Sequence, residues 1–193
     1  MSFYSIAPFI KVHYPQYYSL ESYPAGECAP FHKTGQEWGI FSNFAKTPME
    51  VSGVAFDSAE RLFQTMKFQD EETVRAVFSA SNPKFTAKKF EKTRRRTDWG
   101  EIIVDAMMFC LQTKNEQCPL FRSKLEESKG KFIVEDQSSF PKKTADTWGV
   151  KLAGDYYSGP NLLGRLLMEL RDGGRLTYSM PADALDFLRF LIR

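Results

Sequence analysis

Apolar residues recur along most of this chain at the three- and four-residue spacing of an α-helix. The longest apolar stripes lie in residues 102–111 and 161–171, which are rich in Ile, Met and Leu. Polar cap residues, and prolines placed after them, indicate where several helices begin. The pattern predicts helices that start at an Asp57 N-cap and over residues 70–80, 83–92, 102–111, 118–125, 161–171 and 181–192.

Short apolar runs outside these helices predict a small β element, most of it near the N-terminus. Three of them are WGIFSNF (residues 38–44), and MEV and VAF on either side of the turn signal Ser52-Gly53. FIVE at residues 132–135 predicts a further strand, and residues 136–160 predict a polar loop. The predicted fold class is therefore mainly α, with α+β as the alternative. Residues 1–35, rich in Tyr, Phe and Pro, are interpreted as an extension of short strands and turns packed on one domain, residues 36–193.

Bulk composition changes this picture only by exclusion. A length of 193 residues suits one domain with a sizeable core, and 42% hydrophobic with 26% charged residues is typical of a soluble globular protein. The chain lacks an apolar run long enough to cross a membrane, and its start lacks a signal peptide pattern, so a cytoplasmic location is expected. A net charge of +2 is too small to imply nucleic-acid binding by itself.

Several familiar catalytic classes have no motif in the sequence. Three cysteines without a CxxC pair and only two histidines make a disulfide framework or a zinc site unexpected. Neither HExxH, a Gly-x-Ser-x-Gly elbow, a P-loop nor GxGxxG occurs. We therefore expect neither a metal nor a cofactor.

The stretch DSAERLFQTMKF, residues 57–68, contains the most informative polar pattern. On a helix, Glu60, Gln64 and Lys67 fall within about a quarter of one face, beside the apolar stripe that includes Leu62 rather than opposite to it. The structural explanation is a capping box, in which Glu60 bonds back to the N-cap. The functional explanation is the wall of a site, where Lys67 would favour an ionised Glu60.

Three other regions contain side chains suited to ligands. The basic run from Lys84 to Arg96 is either a solvated helix face or a phosphate contact. The polar stretch ADTWG, residues 145–149, is either a turn capped by Asp146 or part of a site. Gly164 within a leucine-rich helix indicates either close helix packing or the close approach of a ligand.

In order, WGIFSNF, AERLFQTMKF, RTDW, TWG and GPNLLGRLLMELR resemble the NADAR domain family, which includes the YbiA-type N-glycosidases. The resemblance covers about residues 38–172. It implies a mainly helical, YbiA-like domain that cleaves N-glycosidic bonds of ribose phosphates or ADP-ribose without a metal. The family's catalytic glutamate corresponds to Glu60, and Trp99, Trp148 and the block from Asn161 to Gly164 match further functional positions.

The chain departs from the family pattern at two positions. The usual histidine after the glutamate is Arg61, and the usual aspartate is Ala145, with Asp146 one residue later. The catalytic candidates are Glu60 and Asp146. The substrate-binding candidates are Ser42, Asn43, Phe44, Arg61, Gln64, Lys67, Trp99, Trp148, Gly149, Asn161 and Gly164.

The implied reaction passes through an oxocarbenium-like state, which Glu60 could serve by activating water and stabilising the cation. Trp99 and Trp148 could sandwich a base. The rival hypothesis is a non-catalytic module that binds ADP-ribose or a nucleotide, and a weaker third is partner binding through the N-terminal extension. Two substrates remain open: early riboflavin-pathway ribosylamines, and a nucleobase modified with ADP-ribose, such as guanine in nucleic acid. The basic run favours the second.

Overall fold

Helices provide most of the regular structure, as the apolar spacing predicts. The computed structural model describes residues 6–142 and 144–192. The helices in that part of the chain are α1 Pro8–His13, α2 Ala59–Thr65, α3 Glu71–Ser79, α4 Pro83–Phe90, α5 Trp99–Gln117, α6 Pro119–Glu127 and α7 Leu162–Gly173. With 45% helix and 16% strand, the predicted class of a mainly helical fold with a small β content is confirmed. No helix in the described ranges combines the length and apolar character needed to cross a membrane.

The strands are short and form three small sheets. They are β1 Glu21–Pro24, β2 Cys28–Phe31, β3 Met49–Val51, β4 Val54–Phe56, β5 Phe132–Glu135, β6 Lys151–Ala153 and β7 Tyr156–Gly159. One sheet is antiparallel in the order β1-β7-β6, a second pairs β2 with β5 in parallel, and the third is the β3-β4 hairpin. The chain divides into two compact units, and the predicted boundary after residue 35 stays a prediction.

The first unit comprises Met1–Ser42 and Leu120–Leu176. It contains the β1-β7-β6 sheet and the β2-β5 pair, and α7 packs against β5. Edge-to-face contacts of Phe41 with Phe31 and with Phe121 form part of its core. The leucine stripe of α7 is buried, as its spacing predicts.

The second unit comprises Asn43–Pro119 and Thr177–Arg193. It contains the β3-β4 hairpin and α2 to α5, with α2 in contact with α3, α4 and α5. Ser52 and Gly53 have φ values of 49° and 80°, which is the turn expected for a two-residue hairpin. Because α2 lies among three helices, both its apolar and its polar residues are largely shielded from water.

Most element predictions are confirmed, including FIVE as a strand and the helices predicted over residues 70–80 and 83–92. Four element predictions are wrong. Residues 1–35, interpreted as short strands and turns, also contain the helix α1. WGIFSNF contains the 3-10 turn Gly39–Phe41 rather than a strand, and residues 181–192 contain only the 3-10 segment Asp186–Phe190. The polar loop at 136–160 contains the β6-β7 hairpin, because β1 supplies a partner for β7 from more than a hundred residues away.

Candidate active site

Helix α2 positions the first candidate, Glu60, through a cap that differs from the prediction. The N-cap is Ser58, whose Oγ accepts from the Arg61 N–H at 3.3 Å, and Asp57 lies one residue before it. Glu60 donates its backbone N–H to the Asn43 carbonyl at 2.8 Å. Its carboxylate Oε1 accepts from Gln64 Nε2 at 2.8 Å. This bond joins the carboxylate to a side chain one turn further along the helix rather than to the N-cap, as a capping box would.

The three polar residues that share a face in the sequence are all buried. Glu60 is 5% exposed, Gln64 is 3% exposed and Lys67 is 7% exposed. Lys67 lies just beyond the C-cap Met66. Buried polar side chains are costly unless they are bonded or have a function. Their burial therefore excludes a solvated surface and supports the wall of a site.

The charge state of Glu60 depends on opposing effects. Burial raises the pKa of Glu60, while the charge of Lys84, the Gln64 hydrogen bond and the charge of Lys67 lower it. Burial is the largest of these effects. Lys67 does favour an ionised Glu60, as expected, but its effect is smaller than that of Lys84. The carboxyl group is therefore a stronger base than that of an ordinary glutamate.

Lys67 is held in a closed environment of one acid and two rings. Its Nζ lies 2.5 Å from Glu91 Oε1, and 5.6 Å and 5.8 Å from the ring centroids of Phe63 and Trp99. Burial lowers the pKa of Lys67, and the hydrogen bond with Glu91 opposes that change. The two rings lie 5.2 Å apart, and Trp99 is 2% exposed. Trp99 thus lies against Phe63 and Lys67, with little ring area left for stacking on a base.

Two amide oxygens near Glu60 lack a hydrogen-bond partner within the described part of the chain: Gln64 Oε1 and Asn43 Oδ1. The Asn43 amide nitrogen donates to Met107 Sδ at 3.1 Å, and Asn43 is 5% exposed. Beside it along the chain, Phe44 is 45% exposed, and Lys84 Nζ lies 5.5 Å from its ring centroid. The second unit thus combines a buried carboxylate, two unpaired acceptors and an exposed cation.

Arg61 stands where the family has a histidine, and its guanidinium binds Asp57 and the C-terminal end of α3. Its guanidinium makes two bonds to Asp57, at 2.7 Å and 3.0 Å, and Nη1 donates to the carbonyls of Phe78 and Ala80. These carbonyls lie at the C-terminal end of α3, where a cation is favourable. Arg61 therefore joins α2 to α3, and the substrate contact expected of it stays a prediction.

Part of the basic run is neutralised by local acids. Arg94 pairs with Asp70 and Glu72, and the buried Arg96 pairs with Asp98 and Asp183. Lys84 differs, since it is exposed and its charge acts on both Glu60 and Lys67. We therefore place the candidate phosphate contact at Lys84 rather than in the arginine triplet.

The TWG candidates belong to the first unit. Asp146 is exposed, and its Oδ1 accepts from Gln137 Nε2 at 2.6 Å and from the Trp148 N–H at 2.9 Å. Its backbone N–H donates to Gln137 Oε1 at 2.9 Å. This closes a local turn, as the structural explanation requires. A Cβ at Gly149 would collide with the Glu135 carbonyl oxygen, so Gly149 allows two backbone segments to approach closely.

Asn161 and Gly164 also have structural partners in the first unit. Asn161 is fully buried with φ of 50°; its Nδ2 donates to the Ile133 carbonyl at 2.9 Å and its Oδ1 accepts from the Glu135 N–H at 3.2 Å. Its side chain therefore joins β5 to α7 and makes no cap bond within the helix. A Cβ at Gly164 would collide with the Ile133 carbonyl oxygen and the Asn161 amide. Ser42, the remaining candidate, is buried and is the last residue of the first unit's N-terminal segment.

Sequence reasoning missed two contributors to the second unit's site, Glu91 and Met107, and included Lys84 only as one member of the basic run. Glu91 is 24 residues from the lysine that it binds, and Met107 is 64 residues from Asn43. Local spacing contains no signal for such pairs. No group of three or more potential metal-ligating side chains occurs among residues 6–142 and 144–192.

Comparison with known proteins gives consistent results. The NADAR domain model matches residues 30–174, which confirms the resemblance. N-glycosidase YbiA of Escherichia coli (strain K12) is 31% identical over 144 residues, 74% of this chain and 85% of that protein. A riboflavin biosynthesis protein of Vibrio vulnificus (strain YJ016) is 30% identical over 92% of this chain and 46% of its own length. The NMR structure of E. coli YbiA matches with a TM-score of 0.60 and 30% identity, covering 76% of this chain and 83% of that one.

Proposed function

We propose, from the premise that this chain belongs to the NADAR domain family, that it hydrolyses the N-glycosidic bond of a phosphorylated riboside with Glu60 as the catalytic carboxylate. The enzyme class, N-glycosidase, is supported by the similarity to YbiA. The observation that supports the assignment of Glu60 is a carboxylate buried to 5% exposure with a raised pKa. Gln64 and Lys84 provide the polar groups around it.

The reaction breaks the bond between the anomeric carbon and the nitrogen of the leaving group. The nitrogen leaves with the electron pair, and positive charge develops on the ribose ring. Glu60 stabilises that charge and takes a proton from the water whose oxygen bonds to the anomeric carbon. The leaving nitrogen takes up a proton from solvent and Glu60 later releases its proton to solvent, so the products are the free sugar and an amine or base. The acid-base steps belong to side chains, and we propose that the reaction proceeds without a metal.

The distribution of cations supports a small substrate. Two of the three arginines in the basic run already bind acids, and Lys84 is the member of the run whose charge acts on Glu60. One exposed lysine suits a single phosphate. We therefore propose a ribosylamine phosphate of the riboflavin-intermediate type in preference to ADP-ribose on a nucleobase. The name of the Vibrio vulnificus relative is consistent with that preference.

Replacing Glu60 tests the proposal most directly. Glu60→Gln removes the base and should lower kcat by about 10²–10⁴-fold. Wild-type protein, treated with a chelator, would be assayed for release of free base or amine from a ribosylaminopyrimidine phosphate and from ADP-ribosylguanine. Since Glu60 acts as the ionised form and burial raises its pKa, activity should fall on acidification at a higher pH than for an ordinary glutamate.

Glu71→Gln is the matched control, because Glu71 forms an exposed pair with Arg75 and should leave activity unchanged. Full activity in a folded Glu60→Gln protein would contradict the role of Glu60. Calorimetry with ADP-ribose on the same preparation separates the rival module. Tight binding together with no turnover of either substrate would favour the module.

A further inference from the structure

The two unpaired amide oxygens beside Glu60 are unusual for a folded protein. Gln64 and Asn43 are almost fully buried, yet Gln64 Oε1 and Asn43 Oδ1 have no hydrogen-bond partner among the described residues. A buried acceptor left without a donor costs about 1–3 kcal/mol. Such groups in native proteins call for an explanation, and a ligand that supplies the missing donor is one.

The orientation of the Gln64 amide follows from Glu60. An ionised carboxylate only accepts hydrogen bonds, so it requires the Nε2 side of the amide, which lies 2.8 Å from Glu60 Oε1. The other end of the amide, Oε1, is then the atom presented elsewhere. In Asn43, the amide nitrogen is bound by Met107 Sδ, which likewise leaves the oxygen as the atom to be paired. Both amides therefore offer an oxygen that accepts hydrogen bonds, and a ligand that binds them must supply donors.

We infer that Gln64 Oε1 and Asn43 Oδ1 accept hydrogen bonds from the ribose hydroxyls of the substrate, Gln64 from the hydroxyl on C2 and Asn43 from that on C3, and so select ribosides over 2-deoxyribosides. This inference rests on the proposed function, because it places the anomeric carbon against Glu60. The hydroxyl on C2 is the donor nearest to that carbon, and Gln64 is bonded to the same carboxylate. Asn43 lies beside it, since its backbone carbonyl binds the Glu60 N–H at 2.8 Å.

The leaving group is the other possible source of donors, but its position relative to Glu60 is less suitable. Water activated by Glu60 approaches the face of the sugar opposite to the departing nitrogen, so that nitrogen and its N–H groups point away from the carboxylate. A group bonded to Glu60 at 2.8 Å therefore lies on the sugar side. A 2-deoxy sugar would leave Gln64 Oε1 buried and unpaired, which disfavours its binding.

Binding and turnover measured in parallel test the inference. Ribose 5-phosphate, 2-deoxyribose 5-phosphate and 3-deoxyribose 5-phosphate have no N-glycosidic bond, so calorimetry reports sugar recognition even if turnover is absent. Wild-type protein should bind ribose 5-phosphate about 10- to 100-fold more tightly than the 2-deoxy sugar. Gln64→Leu should reduce that ratio to within about threefold, and Asn43→Leu should do the same for the 3-deoxy sugar. In turnover, kcat/KM for a ribosylaminopyrimidine phosphate and its 2-deoxy analogue should change in the same direction.

Gln112→Leu is the matched control, because Gln112 donates to Glu116 one turn along at 2.8 Å on the exposed face of α5. It should retain the wild-type ratio. Equal or absent binding of the two sugars by the wild type would overturn the inference, as would a ratio that survives in Gln64→Leu. Selective binding without turnover of any N-riboside would reject the proposed function and leave the inference standing. A preference that follows the leaving group rather than the sugar would assign the acceptors to the base and overturn it.

Discussion

Each of the two compact units contains a buried amide side chain, and the two amides differ in how their bonds are satisfied. In the first unit, Asn161 uses both ends of its amide on the backbone of β5, at 2.9 Å and 3.2 Å. In the second unit, Gln64 Nε2 donates to Glu60, and Gln64 Oε1 has no partner among the described residues. Both amides are buried, so burial does not distinguish them. What differs is whether both ends of the amide have hydrogen-bond partners, and this separates a structural amide from one available to a ligand.

The same contrast extends to the neighbours of each amide. Around Asn161, Gly164 provides room for a backbone carbonyl, and Asp146 and Gln137 close a turn by bonding each other. Around Gln64, the carboxylate of Glu60 is buried with a raised pKa. We therefore expect substitutions in the first unit to change stability, and those around Glu60 to change activity.

Comparing the stability of Asn161→Leu with that of Gln64→Leu tests this contrast, and the expected effect is the largest of the three. Asn161→Leu leaves two buried backbone groups unpaired and places leucine at φ of 50°, so we expect a loss of about 2–4 kcal/mol in the free energy of unfolding. Gln64→Leu removes an unpaired acceptor but also the donor to Glu60, so we expect a smaller loss of about 1 kcal/mol. Urea unfolding followed by circular dichroism measures both. Equal losses would remove the distinction between the two amides.

A smaller effect is expected from the glycines of α7. Gly164→Ala forces a methyl group against the Ile133 carbonyl and the Asn161 amide, and should cost about 1–3 kcal/mol. Gly173→Ala lies at the end of the same helix, where an added Cβ meets nothing within 4 Å. It should be neutral or slightly stabilising. Thermal unfolding of the two variants would show the difference, and similar midpoints would refute the close approach at Gly164.

The smallest effect concerns the exposed cations of α4. Lys84→Gln should raise KM for a phosphorylated ribosylamine by about tenfold and leave that of the dephosphorylated compound unchanged, because one exposed charge on phosphate contributes about 1–2 kcal/mol. Lys89→Gln is the control on the same helix, since Lys89 lies 4.9 Å from the ring centroid of Phe85. Steady-state kinetics of both variants on the phosphorylated and the dephosphorylated compound would measure the difference. A matching rise in KM for Lys89→Gln would assign the phosphate to a diffuse basic face.

Local patterns predicted the polar face of α2 but not how its residues are capped and packed. The face formed by Glu60, Gln64 and Lys67 was predictable because helical spacing of 3.6 residues places them together. The predicted cap differs by one residue, since Asp57 and Ser58 are both good N-caps and it is the Ser58 side chain that accepts from the Arg61 N–H, on an extended backbone before α2. Stacking on Trp99 was expected from residue type alone, whereas its packing against Phe63 depends on a distant helix.

Residue order alone predicted the helical class, most helix boundaries and the family resemblance, and it made Glu60 the catalytic candidate, because these depend on the spacing of residues near each other in the chain. Tertiary structure decided which polar groups are paired: Lys67 with Glu91, Arg96 with Asp183, and Asn161 with the backbone of β5. It also decided that Gln64 keeps an unpaired oxygen and that residues 151–159 form a hairpin. Burial and long-range pairing set these outcomes, and both depend on which distant segments of the chain pack together.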